Sequence, residues 1–303
     1  MHNERRPTMK NADGVSVVIP TARTNCQILD NLSSVAQALD NFDGLKELIL
    51  AADRHVSATD FLRVFAQKHS FVRILEGKAG KGSARTRLEA LKETKHSIIL
   101  FTDDDCVVPS DWVARMYQVV MRYGSVTGNL SALHSENPYS QVDAYVDQLR
   151  IRTMENDGAK YISFPNFGIK RNLLPEVPFR PSALNTTEDI DLACRLRLAK
   201  VLIRFEESIT VRTEYPMTLA GLMKRKVKHA RGVAFLRANL NDEERNSLGL
   251  NETPWKMLLR WSKATLRAPL KLSQRLCMLL ANAVYCSVLG YYDTKFRHLK
   301  PRR

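Results

Sequence analysis

The sequence predicts an α/β fold: a mostly parallel central sheet flanked by helices on both faces. Two observations carry this. In the first third of the chain, short apolar runs alternate with amphipathic stretches of helical period, in the order strand–helix–strand–helix–strand–helix–strand. The apolar runs then stop at Pro20, at Asp53 and at Asp103, Asp104 and Asp105, the polar strand ends that such sheets present on one rim.

The elements follow in order. Residues 15–19, VSVVI, form a buried strand ended by Pro20. Residues 26–39 carry Ile28, Leu32, Val35 and Leu39 at helical spacing, and 45–51 form a second strand. Residues 58–69 read as a helix with Phe61, Leu62 and Phe65 inward, and 72–75 as a third strand. Gly80, Lys81 and Gly82 open a loop before a helix over 83–94, and 97–101, SIILF, is a fourth strand. The second half predicts helices at 111–123 and 142–154, and strands at 126–133 and 166–170. The helix at 188–199 can take Thr186 or Thr187 as N-cap. Edge strands are expected at 201–205 and 209–212, and from Thr218 the chain is helical and basic.

The chain of 303 residues carries 46 Lys+Arg against 32 Asp+Glu, a net charge of +14 that suits phosphates, nucleic acid or an anionic membrane. Its apolar content excludes a disordered tail protein. The cysteines, Cys26, Cys106, Cys194, Cys277 and Cys286, form no CxxC pair and no zinc spacing, and read as buried free thiols. The polar N-terminus lacks the apolar core of a signal peptide, and these features together point to the cytoplasm.

Three adjacent carboxylates repel one another unless a cation neutralises them. In an extended segment Asp103 and Asp105 point the same way and can share one hard ion, Mg²⁺ or Mn²⁺, with a diphosphate. The segment 77–87 matches neither a Walker A loop nor GxGxxG. It supplies a turn, a helix N-terminus and cations for a nucleotide: Arg85 first, then Lys81 and Arg87. Glu188, Asp189 and Asp191 open a helix, more acid than a cap requires. One acidic cluster would hold a metal and the other supply a general base.

These pieces together resemble the family 2 glycosyltransferases, whose nucleotide-diphospho-sugar transferase fold, GT-A, has a Rossmann-like nucleotide-binding half. The matching segments are SVVIPT at 16–21, Asp53, GKGSARTRLEAL at 80–91, IILFTDDDCVVPSDW at 98–112, NFGIKR at 166–171, TEDIDLACRL at 187–196 and RKVKHARG at 225–232. The resemblance implies a tail at 1–13, a GT-A domain at 14–235 with donor and acceptor halves at 14–112 and 113–235, and a basic amphipathic extension at 236–303. Pro20, Thr21 and Arg23 would lie beside the nucleotide, Asp53 would accept from the base, typically uracil, and Lys81 and Arg85 would meet the phosphates. Asp103 and Asp105 would hold Mn²⁺ or Mg²⁺ with the diphosphate, and Asp104 would approach the ribose. Asp189, with Glu188 beside it, would be the catalytic base of an inverting transfer. Asn166, Arg225, Lys226, Lys228 and His229 would serve acceptor and diphosphate.

The implied reaction moves a sugar from a nucleotide-diphospho-sugar, UDP by family habit, to a hydroxyl of a glycan, a lipid-linked or a small-molecule acceptor. The departures are His229 in place of the Trp of processive members, Arg54-His55 after Asp53, and an unusual loop before Thr187. Alternatives are a nucleotidyltransferase of the same fold and a non-enzymatic nucleic-acid- or membrane-binding protein. Residues 251–303 hold 11 Lys+Arg against two acids, Glu252 and Asp293, beside Trp255, Leu259, Trp261 and Leu266. That mixture suits an anionic membrane surface, with the protein peripheral to it, or an anchored acceptor or partner better than nucleic acid.

Overall fold

Seven consecutive buried residues make Val15–Thr21 the first strand, β1, with Val15, Val17 and Ile19 on one face and Val18 on the other. A computed structural model describes residues 14–298 except 58, 78–79, 156–157 and 181–185, so the expected tail, the start of the second helix at Ala58 and the last five residues lie outside the described ones. The chain continues through α1 (Leu29–Asp40), β2 (Lys46–Ala52), α2 (Phe61–Lys68), β3 (Val72–Glu76), α3 (Ser83–Glu93), β4 (Ile98–Phe101) and β5 (Cys106–Val107). It then forms α4 (Trp112–Tyr123), β6 (Ser125–Ala132), α5 (Pro138–Ile151), β7 (Met154–Glu155), β8 (Gly158–Ala159), β9 (Phe167–Lys170) and α6 (Glu188–Leu198). The final elements are β10 (Arg204–Thr213), α7 (Leu219–Asn239), α8 (Asp242–Leu248), α9 (Pro254–Leu266) and α10 (Leu272–His298).

The main sheet has the order β3-β2-β1-β4-β9-β6-β10-β5. The pairs β3–β2, β2–β1, β1–β4 and β6–β10 are parallel, whereas β9 is antiparallel to both its neighbours. This is the GT-A architecture. The C-terminal ends of β1, β2, β4, β6 and β10 therefore share one rim. One face of the sheet packs Leu32, Leu62, Phe65 and Trp112 from α1, α2 and α4. The other packs Ala84, Leu192, Val233 and Tyr285 from α3, α6, α7 and α10.

Three expectations change. The two edge strands expected at 201–205 and 209–212 are one strand, β10, paired on both sides. Its register with β6 jumps from Glu206↔Gly128 to Thr210↔Asn129, and this bulge interrupts the apolar period that a sequence reading follows. The boundary expected at 235 falls inside α7. Leu236, Leu248, Met257 and Leu289 share a core with Ile49 and Phe101, so the C-terminal helices are built onto the sheet. Cys26 is exposed, Cys277 half-buried, and Cys106, Cys194 and Cys286 buried.

Candidate active site

The rim begins where β1 and β4 end. The tripeptide Asp103-Asp104-Asp105 is a turn rather than the extended segment its apolar lead-in predicts, with the Cys106 N–H donating to the Asp103 carbonyl at 3.2 Å. The turn fans the carboxylates apart. Asp104 accepts from the Thr21 hydroxyl and lies 3.4 Å from Arg23. Asp105 accepts from the Thr213 hydroxyl at 3.2 Å and faces Arg23 at 3.8 Å. Arg23 also meets Glu214 at 3.0 Å. Burial, then Asp103 and Asp104, push the Asp105 carboxyl up to about 6. The turn thus carries more negative charge than its arginines offset.

Asp53, at the end of β2, accepts from the backbone N–H groups of Lys81 at 2.9 Å and Gly82 at 2.8 Å. A carboxylate has about four acceptor sites, so this leaves capacity for a ligand donor. Gly82 sits at φ +79°, a left-handed conformation open to glycine, and so turns the chain into α3. The Lys81 and Arg85 side chains point along α3 to Glu89, at 2.8 and 3.7 Å, and do not line the cleft.

Arg87, rather than Arg85, lines the cleft. It is 4% exposed, stacks over the Phe164 ring at 4.4 Å, and pairs with Asp103 and, at 2.5 Å, with Glu188. The Ser83 hydroxyl donates to the same Glu188 oxygen at 2.7 Å. One guanidinium thereby ties the end of β4 to the start of α6. A signal was present in the sequence: Arg87 falls on the helix face of Ala84 and Leu91, where a cation is buried only if paired.

At the start of α6 the Thr187 side chain makes no capping bond, and the acids of the first turn complement the helix dipole instead. Glu188 is buried and engaged. Asp189 opens onto the cleft, holding Arg150 at 3.0 Å and accepting from its neighbour's backbone, Ile190 N–H, at 2.8 Å. Burial raises its pKa while Arg150 pulls it down. Sequence reasoning missed Arg150, Asp147 and Asp143, although their spacing of three and four residues puts them on one face of α5.

From α7, Arg225 meets Asp143 at 3.1 Å and Asp147 at 3.0 Å and lies over the Tyr215 ring; Lys226 pairs with Asp143 at 2.5 Å. Lys228 is exposed on the cleft. His229 packs on Tyr285, and burial, then Arg150, lower its pKa to about 3, so it is neutral at physiological pH. Gly232 lets α7 approach α6: a Cβ there would lie 2.0 Å from the Thr186 hydroxyl. The basic helix is thereby set beside Asp189.

Asn166 does not join the cleft. It is fully buried, accepts from the Trp112 indole at 3.0 Å and donates to the carbonyls of Asn129 and Ile209, both at 2.9 Å. Its role is to tie α4, β6 and β10 together. We expect Asn166→Ala to leave these groups unpaired and cost about 3 kcal/mol of stability, read as a lower urea midpoint with donor affinity of the folded protein unchanged.

The cleft continues past Asp189 as one cavity of about 1070 Å³, at the top of the range for a single small-molecule site. Val233, Leu250, Met257, Trp261, Met278 and Tyr285 line it together with Lys160, Arg237, Glu252, Arg260 and Asn282, so apolar and charged side chains share its walls. Trp261, Met278 and Tyr285 come from α9 and α10.

A carboxylate-lined cleft past the carboxyl ends of a mostly parallel sheet lies where α/β folds bind their ligands. Residues 12–232 match the family described as glycosyltransferase-like family 2, and the chain belongs to that family. A curated relative, the poly-beta-1,6-N-acetyl-D-glucosamine synthase of Staphylococcus epidermidis, is 24% identical over 230 residues, 73% of this chain and 54% of that protein. The chain thus spans about half the length of the curated relatives it matches. Among solved structures, the mannosyltransferase PcManGT from Pyrobaculum calidifontis, in complex with GDP-Man and Mn²⁺, superposes with a TM-score of 0.67 at 16% identity, covering 92% of this chain and 86% of that one. S. aureus TarS 1–349 in complex with UDP-GlcNAc gives 0.51 at 13% identity, covering 95% and 93%. The likeness to these two structures is one of fold.

Proposed function

We propose that the protein transfers a sugar, with inversion, from a nucleotide-diphospho-sugar to an acceptor hydroxyl, the acceptor having an apolar part. The observation that supports this most is the placement of Asp189 and the Asp103, Asp104 and Asp105 turn on one cavity, with Arg87 bridging the turn to Glu188, the neighbour of Asp189. Thr21, Asp53 and Asp104 bind and orient the nucleoside. Asp189 takes the proton from the acceptor hydroxyl, which attacks the anomeric carbon opposite the leaving diphosphate. Arg150 holds Asp189 in place, and the basic face of α7 offsets charge near the leaving group. The apolar side chains that line the cavity, Trp261, Met278 and Tyr285 among them, receive the acceptor's non-reacting part.

The residues also fit a divalent ion. Asp103 and Asp105 present hard oxygen donors on one cavity. Among the described residues no three His, Cys, Asp or Glu side chains converge as a metal cage. Mg²⁺ is usually bound through one or two carboxylates together with substrate phosphates. When bound, the ion would neutralise the leaving diphosphate.

Release of nucleoside diphosphate from a panel including UDP- and GDP-sugars tests the reading. We expect turnover with Mn²⁺ or Mg²⁺ that chelator abolishes and added metal restores. Turnover unchanged by chelator would remove the metal from the proposal; no release from any donor would remove the transferase assignment.

A further inference from the structure

We propose that the α9–α10 hairpin seats the protein on an anionic membrane surface, its cations meeting the headgroups and its outward leucines and tryptophan entering the acyl boundary. The outer faces of the two helices carry large apolar side chains that the fold leaves uncovered: Trp255 (66% exposed), Leu266 (60%), Leu272 (74%) and Leu276 (58%), with Leu259 and Leu280 beside them. They are in phase. Trp255, Leu259 and Leu266 fall on one stripe of α9, and Leu272, Leu276 and Leu280 on one stripe of α10. Leu266 and Leu272 flank the turn that joins the helices, so the stripes meet at the hairpin tip.

Charge complementarity selects the occupant. Lys256, Lys263, Arg267 and Lys271 are exposed on the same hairpin. The two acids of residues 251–303 are already engaged, Glu252 with Arg260 at 2.6 Å and Asp293 with Arg237 at 2.9 Å. The surface excess is therefore positive. A second copy meeting this face about a two-fold axis would bring like charges together. Nucleic acid would satisfy the cations and leave the leucines wet. A bilayer rich in anionic lipid satisfies both.

The hairpin lies on the bilayer rather than crossing it. Residues Leu272–Phe296 of α10 are long and apolar enough to span by length and composition. However, the inner face of that helix is committed to the protein: Met278, Ala281, Tyr285 and Leu289 are buried, and Asn282 donates to the Thr265 hydroxyl. The same inner faces contribute Met278, Asn282 and Tyr285 to the wall of the cleft. Docking would therefore hold that wall about one helix diameter, roughly 10 Å, from the lipid.

Co-sedimentation of the full chain with vesicles tests this without requiring any knowledge of the reaction. We expect pelleting with phosphatidylcholine vesicles containing a third phosphatidylglycerol, little with phosphatidylcholine alone, and a steep fall with salt. The double variant Leu272→Ser/Leu276→Ser should lower the partition coefficient at least about tenfold, and Lys263→Gln or Arg267→Gln about fivefold each. All four positions are exposed or at the surface turn, so thermal melting should match the parent. Equal partition onto neutral vesicles, no partition onto anionic ones, or variants that bind like the parent would overturn the proposal. So would a concentration-dependent dimer that the leucine variant abolishes, which would give the face to a second copy.

Discussion

Asp189→Asn is expected to lower the rate of glycosyl transfer about 10²- to 10⁴-fold, the range a positioned general base contributes. Donor binding, measured separately by calorimetry, should stay near the parent value, because the amide keeps the shape and the Ile190 N–H bond while losing the proton acceptor. The pH profile gives a second readout. Burial raises the Asp189 pKa and the Arg150 charge opposes that rise. The base works only when ionised, so the acid limb of transfer should lie above the ordinary aspartate value of about 3.9. Replacing Arg150 by Met removes the opposing charge and should move that limb to higher pH. A parent-like rate in Asp189→Asn would assign the base elsewhere. An acid limb unmoved by Arg150→Met would show that the 3.0 Å pair does not act on the base.

Arg87→Met is expected to destabilise the fold by about 3–5 kcal/mol, the cost of removing one partner from a buried ion network. It leaves Glu188, buried, and Asp103 without their shared counter-charge, and it uncovers the Phe164 ring. Urea midpoints would measure this. Adding Glu188→Gln should recover part of the loss, because the orphaned carboxylate is then neutral. Arg85→Met, on the exposed face of the same helix, should stay within about 0.5 kcal/mol. Parent-like stability in Arg87→Met would mean that the two carboxylates do not depend on the guanidinium.

The contrast between these two arginines shows where sequence reading succeeds and where it stops. Both lie in a stretch whose composition announces anion binding. Choosing between them requires the phase of α3, and the apolar positions Ala84 and Leu91 supply it once they are used as a ruler. Asp53, Asp103, Asp104 and Asp105 were legible because strand ends place them on the rim, and Asp189 because it opens a helix with more acid than a cap requires, whereas Thr21 and Arg23 were reached only through the family resemblance. Asn166 misled because a motif segment and a structural polar hub look alike in one dimension. Only the partners of its amide, an indole and two carbonyls, separate the two. Arg150 and Asp147 were invisible for the opposite reason: α5 reads as an ordinary helix until α6 and α7 close against it.

The alternation of apolar runs and amphipathic stretches therefore determined the α/β class, the order of strands and helices in the first half, and the rim on which the acids gather, because period and polarity act over a few residues. Tertiary structure decided the rest. It turned Asp103, Asp104 and Asp105 to different partners, and it joined two supposed edge strands through a bulge. It also folded the basic C-terminal helices inward as a wall of the cleft while leaving their outer leucines bare. Those outcomes depend on contacts between segments far apart in the chain, which no local pattern encodes.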